Sequence, residues 1–187
     1  MIKAIIFDIG GVLVENLDKI ILNKIKNKNF KKNYYKYAKK LDSGEITLKQ
    51  LQKLFKKDKL NLYKIYIEAA KKTKLDKTVK NLVFKLNKNY KVVYLSNTFK
   101  EHYLIRKKQD VFNGFLFGIN SYNAKMRKPY RIIYKLMLRK LNLKGEECLF
   151  IDDRKDNIKT AKRLKINSIL FRNYNQLIKG LKKFKVI

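Results

Sequence analysis

Apolar residues in this chain fall into two kinds of run. Ile2, Ala4, Ile5, Ile6 and Phe7 are nearly continuous, with the composition of a strand buried on both faces. The run stops at Asp8, and Gly10 and Gly11 follow. Lys91 to Leu95 is a second, β-rich run, ending at Ser96-Asn97, and Cys148 to Ile151 a third, ending at Asp152-Asp153. Ser168 to Phe171 reads as a last strand and 111–117 as another short one.

Elsewhere the spacing is helical. Leu17, Ile20, Ile21 and Ile25 share a face, and Phe30, Tyr34, Tyr35 and Tyr37 continue it with aromatics. Thr47 with Gln50 forms a capping box ahead of Leu48, Leu51, Leu54 and Phe55. Leu62 to Ile67 suggests a further helix. Leu75, Val79, Leu82, Val83 and Leu86 lie on one face. Thr98 with Glu101 predicts a second capping box. Pro129 sits where a helix headed by Ile132, Ile133, Leu136 and Met137 would begin. Ile158, Ala161 and Leu164 predict another helix, and Leu177, Ile178 and Leu181 a terminal one.

Strands alternating with helices predict an α/β fold with a doubly wound parallel sheet. The helical block over 16–75 interrupts that alternation. It reads as a small inserted helical cap, with the core formed by residues 1–15 and 76–187.

Composition narrows the classes. With 187 residues and 45% apolar, the chain can bury a proper core. A single cysteine, Cys148, excludes an internal disulfide framework and reads as a core thiol. No stretch has the length of a membrane span, and the opening apolar run is broken at Asp8 before it could serve as a signal peptide. A cytoplasmic protein without membrane attachment is expected.

Lys and Arg number 47 against 15 acidic residues, a net charge of +32. Such a charge favours loose, nonspecific attachment to nucleic acid or other polyanions. The lysines are spread along the chain and far outnumber the seven arginines. A dedicated recognition surface leans on Arg, so an AT-biased composition accounts for the charge better.

Four polar clusters sit at strand ends or helix starts: Asp8, Ser96-Asn97, Lys128 and Asp152-Asp153. In an open α/β sheet all can converge at the carboxyl edge. Carboxylates brought together there repel and call for a hard cation, for which Mg²⁺ suits oxygen ligands. A lysine and a hydroxyl at a helix start suit a phosphate. An aspartate between the two can attack that phosphate. Taken alone, Asp8 could equally cap a turn.

The order of these clusters resembles the haloacid dehalogenase superfamily of hydrolases over nearly the whole chain. F-D-I-G-G-V-L is similar to its first motif, L-S-N-T to its second, R-K-P to its third and F-I-D-D-R-K-D-N-I-K-T-A-K-R-L to its fourth. S-G-E-I-T resembles cap segments of the branch whose cap follows the first strand. L-S-N-T-x-x-x-H, ending at His102, resembles the branch of small sugar-phosphate phosphatases.

The resemblance implies a Mg²⁺-dependent phosphatase acting on a small phosphorylated metabolite through a phospho-aspartyl intermediate. Asp8 is then the nucleophile. Ser96, Asn97 and Lys128 bind the phosphate, and Lys128 also neutralises Asp8. Asp8, Asp153 and the Gly10 carbonyl hold Mg²⁺, and Asp152 holds a metal-bound water. Two departures stand out. Gly10 occupies the place of the usual second aspartate, which leaves the proton donor unassigned, and Tyr130-Arg131 follows Lys128-Pro129 where Asp-Pro is common. His102 is the candidate donor, since an unperturbed imidazole titrates near neutral pH. The alternatives are a hydrolytic dehalogenase, which also uses an aspartate nucleophile but needs no Mg²⁺, and a non-catalytic basic protein binding RNA or another polyanion on the same scaffold.

Overall fold

A computed structural model describes residues 1–56 and 60–187. Its centre is a five-stranded, wholly parallel sheet: β1 (Ala4–Phe7), β2 (Lys91–Ser96), β3 (Gly118–Asn120), β4 (Cys148–Asp152) and β5 (Asn167–Leu170), in the order β3-β2-β1-β4-β5. The opening run of the chain is the central strand, in register with both neighbours: Ile6 lies opposite Val93 and Phe150.

Period-two alternation then sends side chains to two cores. Ile5, Phe7, Val92, Tyr94, Leu149 and Ile151 face one side, with Val79, Val83, Leu177 and Leu181 from α5 (Lys77–Leu86) and α10 (Tyr174–Lys183). Ala4, Ile6, Val93, Leu95 and Phe150 face the other, against Ile133 and Met137 of α8 (Arg131–Leu141) and Ile158 and Ala161 of α9 (Lys155–Arg163). Cys148 is fully buried in this second core.

Between β1 and α5 come α1 (Leu17–Lys24), α2 (Lys28–Asp42), α3 (Leu48–Leu54) and α4 (Leu62–Lys72). They enclose a third core of Leu17, Ile21, Phe30, Leu48, Leu51, Leu62 and Tyr66. The chain enters and leaves this helical segment side by side: Val14 bridges Leu75, Glu15 N–H donates to the Lys74 carbonyl and Asp76 N–H to that of Leu13. The Thr47–Gln50 capping box forms, and Tyr35 of the aromatic face points to solvent.

Three local expectations are corrected. Residues 111–117 are turns; the strand begins only at Gly118. Gly114 has φ +84°, and the Lys80 ammonium gathers the carbonyls of Asp110, Val111 and Asn113, so the chain curls around that cation first and meets β2 only at Leu116 and Phe117, through the Val92 carbonyl and the Tyr94 N–H. Thr98 does not cap a helix: its N–H goes to Ser121 Oγ, the first residue of α7 (Ser121–Ala124), and α6 (Lys100–Lys108) starts after Phe99 without a side-chain cap. Pro129 lies two residues before α8, which Tyr130 precedes as N-cap. Among the described residues, no helix is long and apolar enough to cross a membrane.

Candidate active site

The parallel arrangement puts the carboxyl ends of β1, β2 and β4 at one edge. Asp8 follows β1 directly, Ser96 ends β2 and Asp152 ends β4. Asp8 is anchored there by its N–H, which donates to the Ile151 carbonyl, so the strand ladder itself aims the side chain. Gly11 follows with φ +83°, and a Cβ on it would stand 2.3 Å from Asp153 Oδ2. The second glycine is therefore what lets the Asp153 carboxylate lie against the Asp8 loop.

Lys128 is 1% exposed, and its ammonium sits 2.8 Å from Asp8 Oδ1 and 2.7 Å from Asp152 Oδ2. Both neighbours hold it firmly protonated against the cost of burial. Its backbone is clamped from β2: Lys128 N–H donates to Asn97 Oδ1, and Asn97 Nδ2 donates to the Lys128 carbonyl. The Asn97 side chain is thus spent on positioning Lys128. Asp152 is saturated in the same way. It accepts from Lys128, from the Arg154 N–H and from Asn157 Nδ2.

The bonds of Asp8 all fall on Oδ1, which also accepts the Ile9 N–H at 2.6 Å; Oδ2 is uncommitted. Asp153 Oδ1 is buried without a partner. Burial raises the Asp8 carboxyl to about 7, with Asp152 and Asp153 adding to the rise and Lys128 opposing it. Burial and then Asp152 raise Asp153 as well. Oxygens of Asp8, Asp152 and Asp153 all come within 4.8 Å of one another. An orphaned buried oxygen and two raised carboxyls are what a hard dication would satisfy, so the donor set fits Mg²⁺.

Asp8 and Lys128 open onto a narrow cavity of about 90 Å³ between the sheet edge and α1, α2 and α4. Gly10, Asn97, His102 and Asp153 also line it. Ser96 does not; it is fully buried, and its hydroxyl makes only a 3.5 Å contact with the Asn97 carbonyl. His102 is 3% exposed with Nε2 unpartnered, and its ring is 5.4 Å from that of Phe99. Burial, with Arg106 adding to it, lowers the imidazole well below its ordinary range. The expectation of a near-neutral titration is corrected: His102 is held neutral.

Several cavity residues escaped the sequence reading. Arg106, one helical turn after His102, is 2% exposed. Asp18 accepts from Tyr34 Oη at 2.7 Å, and Asp42 pairs with Arg127 at 3.4 Å. Asn157 closes over Asp152. The i, i+4 spacing of His102 and Arg106 on one face was the available signal for Arg106. The acids of α1 and α2 gave none among so many solvent-facing charges.

Comparison with known proteins agrees with this fold. A HAD family enzyme from Bacteroides thetaiotaomicron, solved as a magnesium complex, is 26% identical, with a TM-score of 0.76 over 95% of this chain and 98% of that one. A mutant of it in complex with magnesium and inorganic phosphate gives a TM-score of 0.80 at 24% identity, over 95% of this chain and 99% of that one. L-2-haloacid dehalogenase from Xanthobacter autotrophicus shares the fold at 15% identity, with a TM-score of 0.66 over 100% of this chain and 85% of that one. The curated drimenol cyclase drtB of Aspergillus calidoustus is 24% identical over 191 residues, covering 97% of this chain. The chain spans 36% of that protein's length. The family model for haloacid dehalogenase-like hydrolases matches residues 2–165, and the chain belongs to that family.

Proposed function

We propose that the protein is a Mg²⁺-dependent phosphatase that hydrolyses a small phosphate monoester through a phospho-aspartyl intermediate. The observation that carries this reading is the division of labour within one buried carboxylate. Asp8 Oδ1 is tied to Lys128 and the Ile9 N–H, and Oδ2 is left to act beside the unpartnered Asp153.

In the first half-reaction Asp8 Oδ2 forms a bond to phosphorus, and the ester P–O bond breaks with its electron pair leaving on the alcohol oxygen, which takes up a proton. In the second, water attacks phosphorus, the bond to Oδ2 breaks, and inorganic phosphate and the Asp8 carboxylate are regenerated. Lys128 fixes the nucleophile's orientation and offsets charge on both Asp8 and the phosphoryl group. Asn97 positions Lys128. Asp8 and Asp153 would hold Mg²⁺, which would supply charge neutralisation for the phosphoryl group, with Asp152 steadying the cluster. The narrow cavity favours a small organic part.

A dehalogenase also attacks with an aspartate. The clustering of Asp8, Asp152 and Asp153 favours the phosphatase, because alkyl halide displacement gives such a cluster no task. A screen of phosphate esters with and without Mg²⁺ tests the reading. Turnover is expected only with Mg²⁺, and Asp8→Asn, nearly isosteric, should abolish it in a folded protein. Full activity in chelator, or undiminished turnover by Asp8→Asn, would overturn it.

A further inference from the structure

Arg106 is a buried cation that the proposed chemistry does not use. It projects from α6 into the cavity that holds Asp8, and its Nη2 lies 3.3 Å from where a Cβ on Gly10 would stand. Nε and Nη1 are buried and have no hydrogen-bond partner. The other cations lining the cavity are engaged: Lys128 by Asp8 and Asp152, Arg127 by Asp42, and Arg154 by Asp156 at 2.9 Å. Among the described residues, no carboxylate comes within ion-pairing distance of Arg106. Asp8, Asp42 and Asp18 are near enough to favour its charged form against the cost of burial, and yet their contacts go to Lys128, Arg127 and Tyr34.

An unpaired guanidinium out of water is costly, and a stable fold retains one only where something else meets it. A guanidinium presents several donors in one plane, matched to a carboxylate or a phosphate. Gly10, without a Cβ, lets the guanidinium lie against the nucleophile loop at the edge of the cavity.

We propose that Arg106 is the receptor for a second anionic group on the substrate, so that the site takes small metabolites bearing a carboxylate or second phosphate a few bonds from the phosphate that is cleaved. This rests on the reading of Asp8 and Lys128 as a phosphate site. The cavity of about 90 Å³ keeps the two anionic groups close together.

Three phosphonates of similar length test it without turnover, by calorimetry on the Mg²⁺-loaded protein. Phosphonopropionate carries a carboxylate, ethylenediphosphonate a second phosphonate, and propylphosphonate neither. At least one of the two doubly anionic ligands should bind about 10- to 100-fold more tightly than propylphosphonate, the range of a charge-assisted bond to a buried partner. Which one does so separates carboxylate from phosphate. Arg106→Leu should reduce that preference to about 3-fold or less while leaving propylphosphonate unchanged, and Arg106→Lys should restore part of it. Equal binding of all three by the unaltered protein overturns the inference and leaves the phosphate site standing, and that comparison needs no variant to fold. Equal weakening of all three by Arg106→Leu also overturns it, by placing Arg106 on the transferred phosphoryl group. Binding of none removes the phosphate site and the inference together.

Discussion

Replacing Lys128 by Met keeps an unbranched chain of similar length and removes the charge between two buried carboxylates. In the native protein the ammonium is 2.8 Å from Asp8 and 2.7 Å from Asp152. Without it, oxygens within 4.8 Å of one another repel. At an effective dielectric of about 20 that repulsion is about 3.5 kcal/mol. Breaking a buried pair by removing one partner typically costs about 3–5 kcal/mol, which agrees. Urea denaturation at pH 8 with EDTA should therefore show Lys128→Met about 3 kcal/mol less stable than the parent, with an unchanged dependence on denaturant. Two treatments should narrow the gap. Mg²⁺ puts positive charge back among the same carboxylates and should bind the variant more tightly than the parent, each tenfold difference in affinity narrowing the gap by about 1.4 kcal/mol under saturating metal. Acid does so by protonating Asp8, already raised to about 7 with Lys128 present. A gap below about 1 kcal/mol in EDTA, or one that Mg²⁺ leaves unchanged, would refute the account of Lys128 as the counter-charge of this cluster.

Gly11→Ala places a Cβ 2.3 Å from Asp153 Oδ2 at φ +83°, so it should cost about 1–2 kcal/mol in backbone strain and weaken Mg²⁺ about 10-fold or more by displacing Asp153. Mg²⁺ titration with unchanged affinity would argue against Asp153 as a ligand. Burial raises the Asp42 carboxyl to about 7 despite Arg127. The folded state then holds this proton from the unfolded value near 3.8 up to about 7, and stability falls as pH rises through that window, by about 1.4 kcal/mol per unit for the group. Asp42→Asn should flatten the pH dependence of thermal stability by that amount, measured in EDTA; an unaltered slope would show that Asp42 titrates normally. Binding to duplex DNA, driven by a charge of +32, should be weak and should fall steeply with salt in a mobility-shift assay. Sequence-selective binding at physiological salt would instead favour a dedicated nucleic-acid role.

The sheet was legible because its strands are buried on both faces and so read as unbroken apolar runs ending in the polar residues that form the site. Where a segment departs from that rule, the sequence misleads. Val111 is buried and its surroundings are aromatic, and yet 110–113 wraps the Lys80 ammonium, a long-range contact that no local pattern encodes. Thr98 and Glu101 have the spacing of a capping box, but Ser121, distant in sequence, takes the Thr98 N–H first. Tertiary partners decide both cases.

The site divides along the same line. Asp8, Lys128, Asp152 and Asp153 could be placed together from sequence because each follows a strand or precedes a helix on one sheet edge, and parallel topology alone brings them within reach. What the sequence could not show is how their bonds are shared out. Asn97 orients Lys128 through its backbone, and Asp152 is saturated, which leaves Asp8 Oδ2 and Asp153 Oδ1 as the uncommitted oxygens. The cavity wall is harder still. In a chain with 47 basic residues, one arginine whose charge is buried looks like any other. Only the packing of α4 against α6, with α1 and α2 walling the cavity, separates Arg106 from the solvated remainder. The same packing keeps His102 neutral, so the residue whose sequence position suggested a cationic proton donor can offer only a neutral N–H.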